Sequence, residues 1–555
     1  MVGAALEARV AYRASRLSDL SHWQTNSASI QLAQLRRILR HARSTDFGRR
    51  HDFDRLRKLP DSELLPAYRA AVPLRDWGGF RETVARMREG GEPDVLWPGK
   101  VMHFCQTSGT TAGDKFIPLT KEMFRSNYRS SLDIFANSLR FGVSVRRICT
   151  GKSIFLGGST DVDVNEHGIC TGDLSGLVVP LIKWPLTECY LPGPKIALIS
   201  HWPTKIDAMA RACMNEDVRM LSGMCSWALV LFERMVEIAR EQGRRVETVR
   251  ELWPNIELFV HGGVRYDPFL PRVNQAVFGD PSIDFPQRLE LYPASEGFVA
   301  MQDRPGERGL RLNIDVGNFL EFVPLDRIDD ADAEAFTCDR VEKGVRYVVV
   351  LTTCAGMYRY ILGDVVEFDT IPDPSSLTGA PASGRGASGG PARVRIVGRH
   401  RHFINAFGEN LIVEHIETAV SQAAQEAGVL IGEFTAAPVY PGPTNRPGLE
   451  VAIEFDDPGP QQIGEAQLHR FAHAMDTTLK SLNVDYGIKR TDGFGMAPPT
   501  ITPLPVGAFH AWMDSKGKLG GQHKCPRCAN HRDILEGVLE VSGVASRSHT
   551  ELASV

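Results

Sequence analysis

Nowhere in the chain do apolar residues run on for the ~20 positions that a bilayer-spanning helix requires, so no membrane partner is expected. Positive charge is not in surplus either. The net charge is -4 over 555 residues, which offers no basic footprint for nucleic acid. The opening stretch, M-V-G-A-A-L-E-A-R-V, lacks the basic region and long apolar core of a secretory leader. Cysteine is sparse and scattered: 10 thiols in a chain of this size suit a reducing cytoplasm better than a disulfide framework. A cytoplasmic protein is the expectation.

What is present is ordinary for a globular protein, 43% hydrophobic and 23% charged. The chain is too long for one compact core, and two or more domains are expected. The most informative stretch is His103–Thr120, centred on Thr107-Ser108-Gly109-Thr110-Thr111-Ala112-Gly113-Asp114-Lys115. Four hydroxyls, two glycines and a lysine fall together there. Phe104 before it and Phe116 and Ile117 after it read as short strands, so the stretch is a turn between them. Glycines let backbone N–H groups crowd around an anion, the hydroxyls add donors, and Lys115 adds a charge. The fitting ligand is a polyphosphate. The turn is not a Walker loop, because Asp114 separates Gly113 from Lys115 and Phe116 follows the lysine.

Apolar spacing predicts helices within residues 1–60 and over Lys121–Leu139, Ile206–Cys213 and Ser226–Glu241. Thr120 is the expected cap of the second. Strands are predicted at Ser153–Gly158, Val218–Gly223 and Ile256–Val260, the last followed by His261-Gly262-Gly263. A strand ending in two glycines lets a flat base lie against backbone. In Leu289–Ala300, L-E-L-Y-P-A-S-E-G-F-V-A, Tyr292 can stack on a purine and Ser295 offers a hydroxyl. Glu296 is a hard oxygen ligand suited to Mg²⁺ beside phosphates. In Met357–Val366, Asp364 follows Gly363 and can accept both hydroxyls of a ribose. Residues 372–391, rich in Pro, Gly and Ser, are expected to remain a floppy loop between two strands.

Beyond them a strand at Val394–Val397 runs into Gly398-Arg399-His400-Arg401-His402 and a helix at Val413–Ala427. Strands at Phe434–Val439 and Leu449–Phe455, a helix at Gln462–Leu482 and a Pro-interrupted strand at Ile501–Phe509 follow. A glycine-rich turn then presents Lys516, Lys518 and Lys524. His523, Cys525, Cys528 and His531 are spaced too tightly to read as a zinc site.

Together these motifs carry a resemblance. Thr107–Lys115 resembles the phosphate-binding signature of the adenylate-forming superfamily. Tyr292–Glu296 resembles its Tyr-x-x-Ser-Glu element, Met357–Val366 its Tyr-Arg…Gly-Asp element, and Gly398-Arg399 its hinge. Leu35–Gly48, Val72–Asp76, Leu96–Gly99 and Lys524-Cys525-Pro526-Arg527 are similar to the Gretchen Hagen family of acyl-acid amido synthetases, in its bacterial form.

The resemblance implies an α/β fold: a large N-terminal domain of mixed sheets flanked by helices, residues 1–398, with ATP and acyl sites. A small mobile C-terminal α/β domain, 399–540, and a disordered tail, 541–555, complete it. It implies ATP and Mg²⁺ as cofactors, a carboxylic acid and an amine (an amino acid) as substrates, and a monomer or weak dimer. By the same resemblance, Thr107, Ser108, Gly109, Thr110, Thr111 and Lys115 hold phosphates, Glu296 holds Mg²⁺, and Gly262, Gly263 and Tyr292 hold adenine. Asp364 holds the ribose, Ser295, Tyr358 and Arg399 complete the nucleotide site, and Lys524 stabilises the adenylation transition state. Met224, Cys225 and Trp227 line the acyl pocket. His402 takes the hinge position, where many acyl-CoA synthetases carry an Asp. Two other readings stay open: an acyl-CoA ligase with a thiol acceptor, and a non-catalytic nucleotide-binding protein.

Overall fold

The computed structural model describes residues 2–107, 115–157, 162–179, 186–199, 201–263, 266, 269–330, 332–372, 390–400, 403–405, 407, 409, 411–441, 446–455, 463–491, 495–516 and 525–547. Ser108, Gly109, Thr110, Thr111, His402, Lys518 and Lys524 lie outside them, as do most of the 372–391 insertion and the end of the tail. No helix among the described residues is long and apolar enough to cross a membrane.

Helices open the chain. Leu20–Ala42 starts at Asp19, whose carboxylate accepts the His22 N–H, and buries Leu32, Leu35, Ile38 and Leu39 along one face. That stripe packs on an eleven-stranded mixed sheet. Tyr190–Leu191, Lys152–Leu156, Val218–Gly223, Leu258–Gly262 and Gln287–Ala294 run parallel in that spatial order. From Gln287–Ala294 onward the neighbours are antiparallel: Gly297–Gln302, Leu310–Leu312, Arg393–Arg399, Tyr360–Thr370, Arg346–Thr352 and Phe319–Pro324. Leu258, Phe259 and Val260 are fully buried, as expected for a parallel strand covered on both faces.

Gln287–Ala294 is therefore the strand at which the sheet changes character. Ligands of open α/β sheets collect beyond the carboxyl ends of strands where the topology switches. The carboxyl ends here bring Met224, Gly263 and the Tyr292–Glu296 segment to one edge.

A second sheet contains the hairpin His103–Thr107 and Lys115–Pro118, with Thr107 paired to Lys115 across the loop. The helix after it, Lys121–Arg140, begins at Thr120, whose hydroxyl accepts the Met123 N–H. Downstream, Ile431–Val439, Gly448–Phe455 and Thr500–Leu504 form a separate three-stranded sheet. The helices Val413–Ala427 and Glu465–Leu482 bury Ala419, Val420, Phe471 and Met475 with it in one apolar cluster.

Tyr292 lies within the strand Gln287–Ala294, so its side-chain direction is set by the pleat. The strand predicted over Ile501–Phe509 stops at Leu504. Pro505 cannot donate to a ladder, and Gly507, at φ 91, turns the chain into the helix Ala508–Ser515.

Candidate active site

A cleft of about 1760 Å³ opens along the switch edge of the large sheet. Single-ligand pockets are typically ~300–1,000 Å³, so the space suits two reactants at once. Thr107, Lys115, Gly263, Tyr292, Ser295, Glu296, Asp364, Arg399, Met224 and Trp227 all line it.

Its centre is a carboxylate held from two strands. The Tyr292 hydroxyl donates to Asp364 Oδ2 at 2.6 Å, and Arg399 Nε donates to Asp364 Oδ1 at 2.5 Å. Asp364 and Arg399 are register partners of the antiparallel pair Tyr360–Thr370 and Arg393–Arg399, which fixes their facing side chains. Burial drives the Tyr292 pKa well up, and the Asp364 charge drives it further. Burial pulls Arg399 down, but the Asp364 ion pair more than offsets this and its pKa ends raised. The Asp364 carboxylate is thus held on both oxygens, and a carboxylate oxygen can accept from more than one donor.

Lys115 forms a second group. It is 7% exposed, and its Nζ lies 3.3 Å from the Tyr360 hydroxyl. Tyr360 in turn hydrogen-bonds Glu296. Burial lowers the Lys115 pKa, and the Glu296 charge works against that. Glu296 sits in the turn between Gln287–Ala294 and Gly297–Gln302, where a Cβ on Gly297 would collide with the Asn318 side chain. A cation, a phenol and a carboxylate thus meet beside the mouth of the Thr107/Lys115 hairpin.

Among the described residues no cluster of three or more His, Cys, Asp or Glu could hold a metal by itself. Glu296 is a buried carboxylate that lines the cleft. That donor set fits Mg²⁺, which is commonly held by one or two carboxylates plus substrate phosphates.

Not every predicted residue comes here. Tyr358 is 0% exposed, stacks on Phe47 at 4.5 Å and donates its hydroxyl to the Leu96 carbonyl at 2.6 Å. It is a core residue, and Tyr360, two positions on, reaches the site instead. Between them Arg359 adopts a left-handed conformation, φ 48, which L side chains rarely take. It is held there by Glu321, at 3.1 Å from Nε, and by the Val72 carbonyl, at 2.9 Å from Nη1. Cys225 is also turned into the apolar core. Gly262 serves the sheet, since a Cβ there would strike the Leu291 carbonyl, whereas Gly263, at φ 85, faces the cleft.

Asp76 was not anticipated from the sequence. The bridge between Arg75 and Tyr360 brings it close enough to act electrostatically on Lys115. No sequence signal pointed to a contact across so long a separation.

At the other end of the cleft Trp227 donates to the Phe407 carbonyl at 3.2 Å and meets Trp202 edge-on at 5.0 Å. Lys489, from the helix Val484–Arg490, places its ammonium 4.0 Å from the Trp227 ring and 4.4 Å from Trp202. The cation belongs to the downstream half of the chain and the two rings to the large sheet's helices.

Three family descriptions match the chain: GH3 family N-terminal domain over residues 16–191, GH3 family central domain over 312–374 and GH3 family C-terminal domain over 414–533. The chain belongs to the GH3 family. The resemblance to the Gretchen Hagen enzymes therefore holds. A relative within GH3 is the probable indole-3-acetic acid-amido synthetase GH3.1 of Arabidopsis thaliana, 22% identical over 94% of this chain and 92% of its own length. Another is the 4-substituted benzoates-glutamate ligase GH3.12 of Arabidopsis thaliana, 26% identical over 62% of this chain and 57% of its own.

Among solved structures, the AtGH3.15 acyl acid amido synthetase in complex with 2,4-DB covers 95% of each chain with a TM-score of 0.57 and 17% identity. A 2-hydroxyisobutyryl-CoA ligase covers 92% of this chain and 91% of its own, with a TM-score of 0.53 and 14% identity. Both show that the GH3 chain has the α/β fold of adenylate-forming enzymes.

Proposed function

We propose that this GH3 protein is an ATP-dependent acyl-acid amido synthetase whose active site is the cleft described above. The observation that carries the reading is the Asp364 carboxylate gripped by Tyr292 and Arg399 beside the Lys115–Tyr360–Glu296 group, in a family whose relatives bear amido synthetase and ligase names.

In the first half-reaction a carboxylate oxygen attacks the α-phosphorus of ATP. A new P–O bond forms, the α–β bridge breaks and pyrophosphate leaves. In the second, an amine nitrogen attacks the acyl carbon, the C–O bond to AMP breaks, and the amine's surplus proton is released to solvent. An amino acid is the proposed amine.

Such a site works by positioning and by charge placed in advance. Thr107 and the loop after it, with Lys115, meet the phosphates. A triphosphate beside Lys115 favours the protonated form, against the burial that lowers its pKa. Asp364 accepts the ribose hydroxyls, and Tyr292, Ser295, Gly263 and Arg399 frame the base and sugar. Glu296 would hold Mg²⁺, which supplies further neutralisation of the phosphates. Met224 and Trp227 border the acid. Lys524, outside the described residues, is assigned the adenylation step on the Lys-x-Pro-Arg motif alone.

We further propose that the chain divides near residue 398, with residues 399–540 as a mobile unit, and that the enzyme works in the cytoplasm.

The deciding experiment is acid-dependent exchange of labelled pyrophosphate into ATP, followed by AMP release with amino acids or coenzyme A as acceptor. Exchange plus amino-acid-dependent release is expected. Release with coenzyme A alone would make the protein an acyl-CoA ligase, and no exchange with any acid would leave only nucleotide binding.

A further inference from the structure

One wall of the cleft is not used by the roles assigned so far. His261 lies near the end of the strand Leu258–Gly262, and Tyr266 follows the glycine pair. Both line the cleft, and both are buried, at 2% and 4% exposed. Their rings stack with centroids 4.2 Å apart at an interplanar angle of 23°.

Neither ring nitrogen of His261 nor the Tyr266 hydroxyl has a hydrogen-bond partner among the described residues. Buried polar atoms without partners are rare and unfavourable. Two phenylalanines would fill the same space without that cost. Burial holds the His261 pKa down at about 3, so at neutral pH the ring presents one N–H donor and one bare nitrogen.

The pair also has a definite place. Met224, at the start of the helix Cys225–Glu241, packs over Gly263, immediately beyond His261 and Gly262. Across the sheet His261 is the register partner of Glu290, two residues before Tyr292. The strand that carries His261 therefore lies between the strand that leads to Met224 and the strand that carries Tyr292.

We propose that His261 and Tyr266 form a polar subsite that selects the acid, favouring a carboxylic acid with a hydroxyl or amino substituent that pairs with the imidazole and the phenol. The proposal rests on the adenylation reading of the cleft. A site built to hydrogen-bond a substituent rejects the analogue lacking it far more strongly than an apolar slot rejects a missing methylene, because the site's own polar atoms are then left unpaired.

The test is pyrophosphate exchange over matched pairs of acids: benzoate against hydroxy- and aminobenzoates, phenylacetate against hydroxyphenylacetates, and short alkanoates against their hydroxy forms. The substituted member of at least one pair is expected to have a kcat/KM roughly tenfold or more above its partner. His261→Phe should bring that pair within about twofold, with the KM for ATP unchanged. His261→Gln, which keeps a donor and an acceptor, should retain part of the preference and guards against a variant that merely misfolds.

Exchange without any substituent preference, a preference that survives His261→Phe, or a change confined to the KM for ATP overturns the subsite while leaving the adenylation reading intact. No exchange with any acid, in protein that still binds ATP, overturns both.

Discussion

Tyr292 and Arg399 reach the same carboxylate from different strands, the phenol at 2.6 Å on one Asp364 oxygen and the guanidinium at 2.5 Å on the other. The carboxylate proposed to receive the ribose is in this sense held in place by the protein's own groups. Preorganised groups of this kind do not have to be ordered at the moment of binding.

Removing the shared anion should be costly for ATP. Asp364→Ala is expected to weaken ATP binding more than acid binding, because a charged hydrogen bond contributes about 1.5–3 kcal/mol and the variant also leaves Arg399 without its partner. A loss of roughly tenfold or more in ATP affinity is anticipated. Titration of ATP against parent and variant decides it, and equal affinities would remove Asp364 from the ribose.

Glu296→Gln should change how activity responds to Mg²⁺. An amide is a poorer ligand than a carboxylate for a hard cation. The expected result is a requirement for roughly 10–100-fold more Mg²⁺, the range seen when a supporting group is lost. Superimposable activity curves against Mg²⁺ concentration would show that the carboxylate serves only Tyr360 and Lys115.

The three C-terminal lysines can be told apart by half-reaction. A cation aimed at charge that builds during adenylation affects rate more than binding. Lys524→Ala is expected to slow adenylation about 10²–10³-fold, by analogy with loss of an oxyanion donor. Amide formation from supplied acyl-adenylate should suffer less, and Lys516→Ala and Lys518→Ala should stay near parental. Abolition by Lys518→Ala with a near-parental Lys524→Ala would move the role from Lys524 to Lys518.

Lys489 gives a pH signature. Burial pushes its pKa down to about 8 from an unfolded value of 10.5. Between those limits the unfolded chain binds a proton that the folded one has released, so this group makes stability rise with pH from about 8 to about 10.5. Below pH 8 the penalty of the buried charge is fully present. Lys489→Met should flatten the parent's slope by up to about 1.4 kcal/mol per pH unit. Denaturant unfolding at pH 7.5 and pH 9.5 measures it, and identical slopes would mean the ammonium is not desolvated.

Much of the site was visible in the sequence because local chemistry sets it. Thr107 and Lys115 face each other across a hairpin that their apolar flanks announced. Asp364 and Arg399 each stand out in a motif, but their pairing is not legible there, since it depends on the register of two strands separated by a long insertion. The Tyr-Arg motif marks Tyr358, and nothing local in the sequence points to Tyr360. The left-handed turn at Arg359 settles which ring reaches Lys115, and that turn is held by Glu321 and Val72 from distant elements. The helix Val484–Arg490 went unread because it is short; Asn483 capping the Tyr486 N–H was its one local sign.

The bracket formed by Trp202, Trp227 and Lys489 has an optical consequence. Indole emission shifts when a nearby positive charge comes or goes. Any rotation of the downstream unit that withdraws the ammonium from the two rings therefore alters the protein's own fluorescence. The motion proposed for residues 399–540 would therefore be readable without a label while substrates are added.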